Sequence, residues 1–258
     1  MEHEQLIVGF HAVDSWLRTG QAQPGDCLLV DERRRDQRLQ GLLRQAKKRG
    51  VEICKRSRRE LDRCAAGVAH QGVVVEVVTQ QPQRHYDEDW LLDLVEQADH
   101  PLLLLILDGI TDPHNLGACL RSAEAAGVDA VVVPRDRSAG MGPVVRKVAS
   151  GAAERVPFVT VVNLARLLKK LADLGIWVVG TAGEATDLLY QADLTPSLAL
   201  VMGAEGEGMR RLTKAQCNQL VKIPMAGSVS SLNVSVATGI VLFEGVRQRH
   251  LALSRTSS

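Results

Sequence analysis

From residue 102 onward the chain alternates short, unbroken apolar runs with amphipathic stretches, and this rhythm restricts the possible folds more than any other feature. The runs at 102–107, 130–133, 157–161, 176–180, 198–202 and 220–223 have strand length and lack the in-out alternation of a half-solvated sheet. They predict strands covered on both faces. Helical spacing fills 115–126, 164–174 and 233–249, with Gly127 and Gly175 placed to stop the first two. The expected fold class is α/β, built on an open and mainly parallel sheet. Ligands bind such sheets at the loops beyond the strand C-termini, so chemistry is to be sought there.

The first 80 residues have a different texture. Helical spacing at 11–19 and 37–49 alternates with apolar runs at 27–30, 51–54 and 73–78, and Ser57-Arg58-Arg59-Glu60 has the capping-box pattern ahead of Leu61 and Cys64. A small α/β sandwich is expected. Residues 1–80 carry 14 Lys/Arg against 11 Asp/Glu, 81–100 carry one against six, and 101–258 carry 16 against 13. The polar Gln80-Gln81-Pro82-Gln83 and the acidic Asp87-Glu88-Asp89 mark a junction. The expected organisation is therefore a domain at 1–80, a linker at 81–100 docking a short helix around Trp90, Leu91, Leu94 and Val95, and a second domain at 101–258. Residues 30–63 hold 13 Lys/Arg against six Asp/Glu. That is a phosphate-binding footprint only if a second feature supports it, because charge runs are more often solvated faces.

Composition removes several classes. The longest wholly apolar run has six residues, against the roughly 20 that cross a bilayer. The N-terminal Met1-Glu2-His3-Glu4-Gln5 lacks the basic start and apolar stretch of a signal peptide. A cytoplasmic chain with no membrane partner is expected. Five scattered cysteines without CxxC spacing, and seven histidines without ligand spacing, argue against a disulfide framework and against a metal site; the thiols are expected to be small buried residues. Aromatic residues make up 3% of the chain, which weakens the case for a reader that stacks bases on an aromatic sheet but leaves open nucleic acid recognised in another way.

Three loops carry the candidate chemistry. The first follows the run at 102–107 and contains Asp108-Gly109-Ile110-Thr111-Asp112-Pro113-His114-Asn115. Asp112 suits an N-cap and Pro113 a first helical position. Arg121 would lean back over Gly117, so that it and the helix N-terminus converge on a phosphate or developing oxyanion. The competing reading pairs Arg121 with Glu124 and leaves Asn115 decorating the first turn. The second loop, Val201-Met202-Gly203-Ala204-Glu205-Gly206-Glu207-Gly208-Met209, has G-x-x-G-x-G spacing rather than the dinucleotide G-x-G-x-x-G, which argues against a nicotinamide site. Its carboxylates are placed to hold a ribose or orient a substrate, unless the segment is only a flexible turn. The third loop runs from Ile223 through Ser228, Ser230, Ser231, Leu232 and Asn233 to Ser235, a density of hydroxyl and amide groups greater than one helix cap requires. Ser231 or Asn233 alone would explain a cap. No G-x-S-x-G elbow, H-E-x-x-H or Walker loop is present.

In order, D-G-I-x-D-P-x-N-x-G-x-x-x-R-S-A, V-M-G-A-E-G-E-G and I-P-M-x-G-x-V-x-S-L-N-V-S-V-A resemble the three motifs of the SpoU (TrmH) branch of the SPOUT RNA methyltransferases. The start Ile7-Val8-Gly9-Phe10-His11-Ala12-Val13 and the segment Ala69-His70-Gln71-Gly72-Val73 resemble the L30e-like substrate-binding domain that precedes the catalytic domain in this family. The resemblance implies a deep trefoil knot in the second domain, which sequence rules alone would exclude. It implies S-adenosyl-L-methionine as methyl donor, with Gly203, Ile223 and Leu232 lining its pocket, and Asn115, Arg121, Glu205, Ser231 and Asn233 as catalytic residues. It further implies a homodimer through the knot region, and 2′-O-methylation of a guanosine ribose in the peptidyl-transferase region of bacterial 23S rRNA before ribosome assembly is complete. A tRNA ribose methyltransferase and a catalytically inert RNA-binding relative are the alternatives.

Overall fold

A computed structural model describes residues 5–20, 22, 25–77 and 86–256. The expected junction at Gln80-Gln81-Pro82-Gln83 lies outside the described residues. The chain divides into two compact units, Met1–His85 with Met141–Gly151, and Tyr86–Gly140 with Ala152–Ser258. The segment Met141–Gly151, which sequence continuity assigns to the second domain, thus groups with the first unit.

In the first unit β1 (Gln5–Val8), α1 (Phe10–Thr19), β2 (Cys27–Asp31), α2 (Gln37–Lys48), β3 (Glu52–Arg56), α3 (Arg58–Cys64) and β4 (Val73–Val77) form a four-stranded mixed sheet of order β1-β4-β2-β3. Strand alternation sorts its core. Leu28 and Val30 face Val13, Trp16, Leu17, Leu39 and Leu42 of α1 and α2, while Leu29 faces Leu61 and Ala65 around α3. Glu60 accepts the Ser57 backbone N–H at 2.8 Å and its hydroxyl at 2.7 Å, closing the expected N-terminus of α3. Buried His70 accepts the Gly72 N–H on Nδ1 at 3.0 Å, so its proton sits on Nε2, 2.8 Å from Asp62. Part of the basic cluster is structural, since Arg34 pairs with Asp36, donates to the Gln71 carbonyl and lies 4.8 Å from the Phe10 ring centroid. Sequence spacing gives no sign of β1, whose four residues are too few to establish a period.

The second unit begins with α4 (Glu88–Gln97), capped by the Asp87 side chain, which is the short helix expected at the junction. Then follow β5 (Leu103–Asp108), α5 (Pro113–Ala125) and β6 (Ala130–Pro134). The excursion through α6 (Pro143–Ala149), which belongs with the first unit, leads back to β7 (Phe158–Val161), α7 (Leu164–Asp173) and β8 (Trp177–Thr181). The chain ends through β9 (Asp187–Leu188), β10 (Leu198–Gly203), α8 (Arg211–Lys214), β11 (Gln219–Lys222) and α9 (Val234–Thr256). The seven strands pair in parallel in the order β7-β6-β5-β10-β8-β11-β9. All six residues of β5 and all five of β6 are buried, as their unbroken apolar runs require. Leu91 of α4 and Leu164, Leu167, Leu168 and Leu171 of α7 cover one face against Leu104, Ile106, Val132 and Val201. Elsewhere α5 and α9 meet through small groups, with the Cys119 thiol donating to Thr238 at 3.5 Å and Gly239 opposite Ser122.

The chain lays down β5, β6 and β7 in one direction, then crosses to β8 and β9, and only afterwards inserts β10 between β5 and β8. The order therefore reverses at β5/β10, which is where an open α/β sheet leaves a crevice for ligands. The cysteines depart from expectation. All five are free, but only Cys119 is buried, its thiol pushed up to about 11 by that burial, while Cys27, Cys54, Cys64 and Cys217 are half-buried. Among the described residues no helix is long and apolar enough to cross a membrane.

Candidate active site

Parallel pairing sets Gly203 at the end of β10 beside Asp108 at the end of β5, so the first and second loops leave the sheet as neighbours. The first loop enters α5 as its sequence demands: Asp112 accepts the His114 N–H at 3.0 Å and Pro113 occupies the first turn. The second folds back on itself. Ala204 and Gly208 exchange two backbone hydrogen bonds, of 3.1 and 2.9 Å, and Gly206 and Gly208 supply the positive φ angles of 83° and 69° that the turn needs. A β-carbon on Gly203 would stand 2.2 Å from the backbone of Gly208 and Met209. The close approach implied by the glycines is thus made first by the loop to itself.

Asp108 anchors that loop. Its buried carboxylate accepts the Arg210 backbone N–H at 2.9 Å and the guanidinium Nε–H at 2.6 Å. Sequence reading assigned this pair no role, and 102 residues separate the partners, so no local pattern announces it.

The third loop reaches the other two through Asn233. Its Oδ1 accepts the Ser235 N–H at 3.0 Å and the Ser235 hydroxyl at 2.6 Å, which caps α9. Its Nδ2 donates to Asn115 Oδ1 at 3.0 Å and, at a longer 3.5 Å, to Glu205 Oε2. Asn115, Glu205 and Asn233 therefore form one hydrogen-bonded cluster, each from a different loop, and Asn115 is more than decoration on its helix.

The remaining expected residues are not drawn in by hydrogen bonds. Arg121 is exposed on α5 six residues beyond Asn115, roughly 9 Å of helix rise, and has no hydrogen-bond or ion-pair partner among the described residues. The alternative pairing with Glu124 fails as well, because Glu124 is held by Arg155 at 2.8 Å. Ser231 is exposed, while Ile223 and Leu232 are half-buried on either side of the exposed stretch 224–231. Among the described residues, no hydrogen bond involves residues 224–232. That backbone presents N–H and C=O groups to solvent, which suits it to cradling a ligand rich in heteroatoms.

Residues 102–243 match the SpoU rRNA Methylase family, and residues 6–83 match the family described as RNA 2′-O ribose methyltransferase substrate binding. The chain is 55% identical over 251 residues to the 23S rRNA (guanosine-2′-O-)-methyltransferase RlmB of Pseudomonas putida, covering 97% of this chain and 99% of the relative. It is 54% identical to the RlmB of Escherichia coli K12, covering 95% and 99%. Among solved structures it resembles the SpoU methyltransferase AviRb from Streptomyces viridochromogenes in complex with the cofactor AdoMet. There the TM-score is 0.73 at 26% identity, over 96% of this chain and 91% of that one. By a match that covers more than half its length, and by relatives above half-identity along nearly all of it, the chain belongs to the SpoU rRNA methylase family.

Proposed function

We propose that this protein transfers a methyl group from S-adenosyl-L-methionine to the 2′-hydroxyl of a guanosine in bacterial 23S rRNA, in the peptidyl-transferase region and before ribosome assembly is complete. The observation that carries the reading is the Asn115–Asn233–Glu205 cluster, which ties three motif loops together at the reversal point of the sheet. Near-complete coverage by the RlmB relatives supports the rRNA substrate.

Bound S-adenosylmethionine supplies an electrophilic methyl on a sulfonium. Gly203, Ile223 and Leu232 would hold it, and two features fit that role: the self-closed turn after Gly203, and the solvent-facing backbone of 224–232. The ribose O2′ must approach in line and lose its proton as it attacks. Glu205 is the acceptor we assign, held in aim by Asn233, which Asn115 fixes in turn; Ser231 completes the polar wall. A guanidinium offers donors and no acceptor, so Arg121 binds an RNA phosphate and stabilises the developing alkoxide instead of removing a proton. Arg121→Lys should lower kcat at least tenfold by losing the planar two-pronged donor; near-normal turnover would refute that role.

Homodimerisation through a knotted C-terminal region belongs to the same reading. Its support is the apolar stripe Val236 and Phe243 on α9, about half exposed, with Val229 and Met225 on the loop before it. The late insertion of β10 and β11 between earlier strands is the topology a knot would need. Residues from both subunits would then complete each site. A cytoplasmic location follows from the substrate. Mass spectrometry of 23S rRNA from cells lacking the gene is expected to show the loss of one 2′-O-methylguanosine, restored by the purified protein. An unchanged inventory, or a change confined to tRNA, would overturn the assignment.

A further inference from the structure

We infer that the loop between β6 and α6 is a second hold on the RNA backbone, in which Arg135 and Arg137 bind phosphates flanking the target ribose. The inference rests on the RNA methyl-transfer reading above. In a parallel sheet the loop leaving β6 emerges on the same edge as those leaving β5 and β10, and here it is bonded to the first motif loop. The Ala139 N–H donates to the Ile110 carbonyl at 2.7 Å, and the Ser138 hydroxyl lies 3.4 Å from the same oxygen. The Arg137 carbonyl would be 3.9 Å from a β-carbon on Gly109. This brings the loop against the segment that leads directly to Asn115.

Arg135 and Arg137 are both exposed, and among the described residues neither guanidinium has an ion-pair or hydrogen-bond partner. Asp136 between them is exposed as well and makes no ion pair with either. The backbone beneath is held, with the Arg135 N–H donating to the Val161 carbonyl at 2.8 Å. Arg137 itself adopts φ 59°, in the left-handed region that a side chain disfavours and glycine enters freely. A strained arginine where glycine would sit without strain points to a side chain kept for what it binds. Unpaired guanidinium groups at the rim of a site for RNA match phosphate oxygens in charge and in two-pronged geometry.

Arg137→Gly separates this role from a structural one, because it removes the guanidinium while relieving the backbone. The thermal midpoint is expected to hold or rise, and the Kd for an RNA fragment to rise roughly fivefold to tenfold. KM for S-adenosylmethionine should be unchanged. The slope of log Kd against log salt should flatten by about 0.7–0.9, the loss of one phosphate contact. Arg135→Ala should weaken RNA binding in the same direction, whereas Arg137→Lys should keep the salt slope. An RNA Kd and salt slope unchanged in both Arg137→Gly and Arg135→Ala would overturn the inference, as would a lowered midpoint with RNA and cofactor affinity falling together. Failure of the wild type to methylate RNA would defeat the functional reading instead, while the binding measurements still decide the role of the loop.

Discussion

Asn233 does two jobs, and its two amide atoms divide them. The oxygen caps α9 and the nitrogen holds Asn115 and Glu205. Serine caps a helix nearly as well as asparagine but has no second donor placed to span the loops, so Asn233→Ser should stay within about 0.5 kcal/mol of the parent in stability. Its methyl-transfer rate should fall at least tenfold, read by label transfer alongside a thermal melt; retained activity would show that the cluster does not organise the reaction. The side chains of this site were legible in the sequence where their chemistry is local. Asp112 and Pro113 announce a helix start because capping depends on adjacent residues alone. The competing pairing of Arg121 with Glu124 follows from local helix spacing alone and fails, because only the fold brings Arg155 to that carboxylate. A pH effect also belongs at this scale. Asp129 and, less strongly, Asp99 raise the His100 pKa above its ordinary 6.5. That contribution to stability is complete below the unfolded value and lost as pH climbs through the raised one. Urea unfolding from pH 6 to 9 should show this decline, and His100→Gln should flatten it.

Among the elements, the turn after β10 shows why glycine spacing misleads when read as a ligand fingerprint. Gly203 is required by the turn's own backbone, so Gly203→Ala should displace residues 204–209 and cost most of the affinity for S-adenosylmethionine. Isothermal titration would check it, with intact circular dichroism as the control. Asp108→Asn probes the same turn from beneath. Arg210 is partly exposed and can turn to water, so the stability cost should be about 1–3 kcal/mol, short of that for a fully buried pair. Cofactor affinity should fall while the RNA Kd holds. Strands β5, β6, β8 and β10 were readable because burial on both faces leaves an unbroken apolar run. The two-residue β9 was not, since Asp187–Leu188 has neither length nor apolar character. Nor was α6, a seven-residue helix whose buried positions are only Val145 and Ala149.

At the scale of the molecule, Arg249 ties the last helix to the opposite end of the catalytic sheet from the site. It donates to the carbonyls of Leu194, Pro101, Leu102 and Pro196 at 2.6–3.2 Å, and burial pulls its pKa down from the usual arginine value. Arg249→Met keeps the stem but removes these four bonds, of which the Leu102 carbonyl keeps a partner in the Leu198 N–H, and should cost about 1–3 kcal/mol in denaturant unfolding while leaving cofactor affinity intact. The insertion of β10 beside β5 also sets a timetable for the newborn chain. Asp108 must wait for Arg210, 102 residues later, before its partner exists. At about 5–20 residues per second, a ribosome leaves the edge of β5 uncovered for several seconds. During that interval β5 presents unpaired backbone N–H and C=O groups along the edge that β10 later covers. Any product of premature termination ahead of β10 lacks the crevice between β5 and β10 altogether.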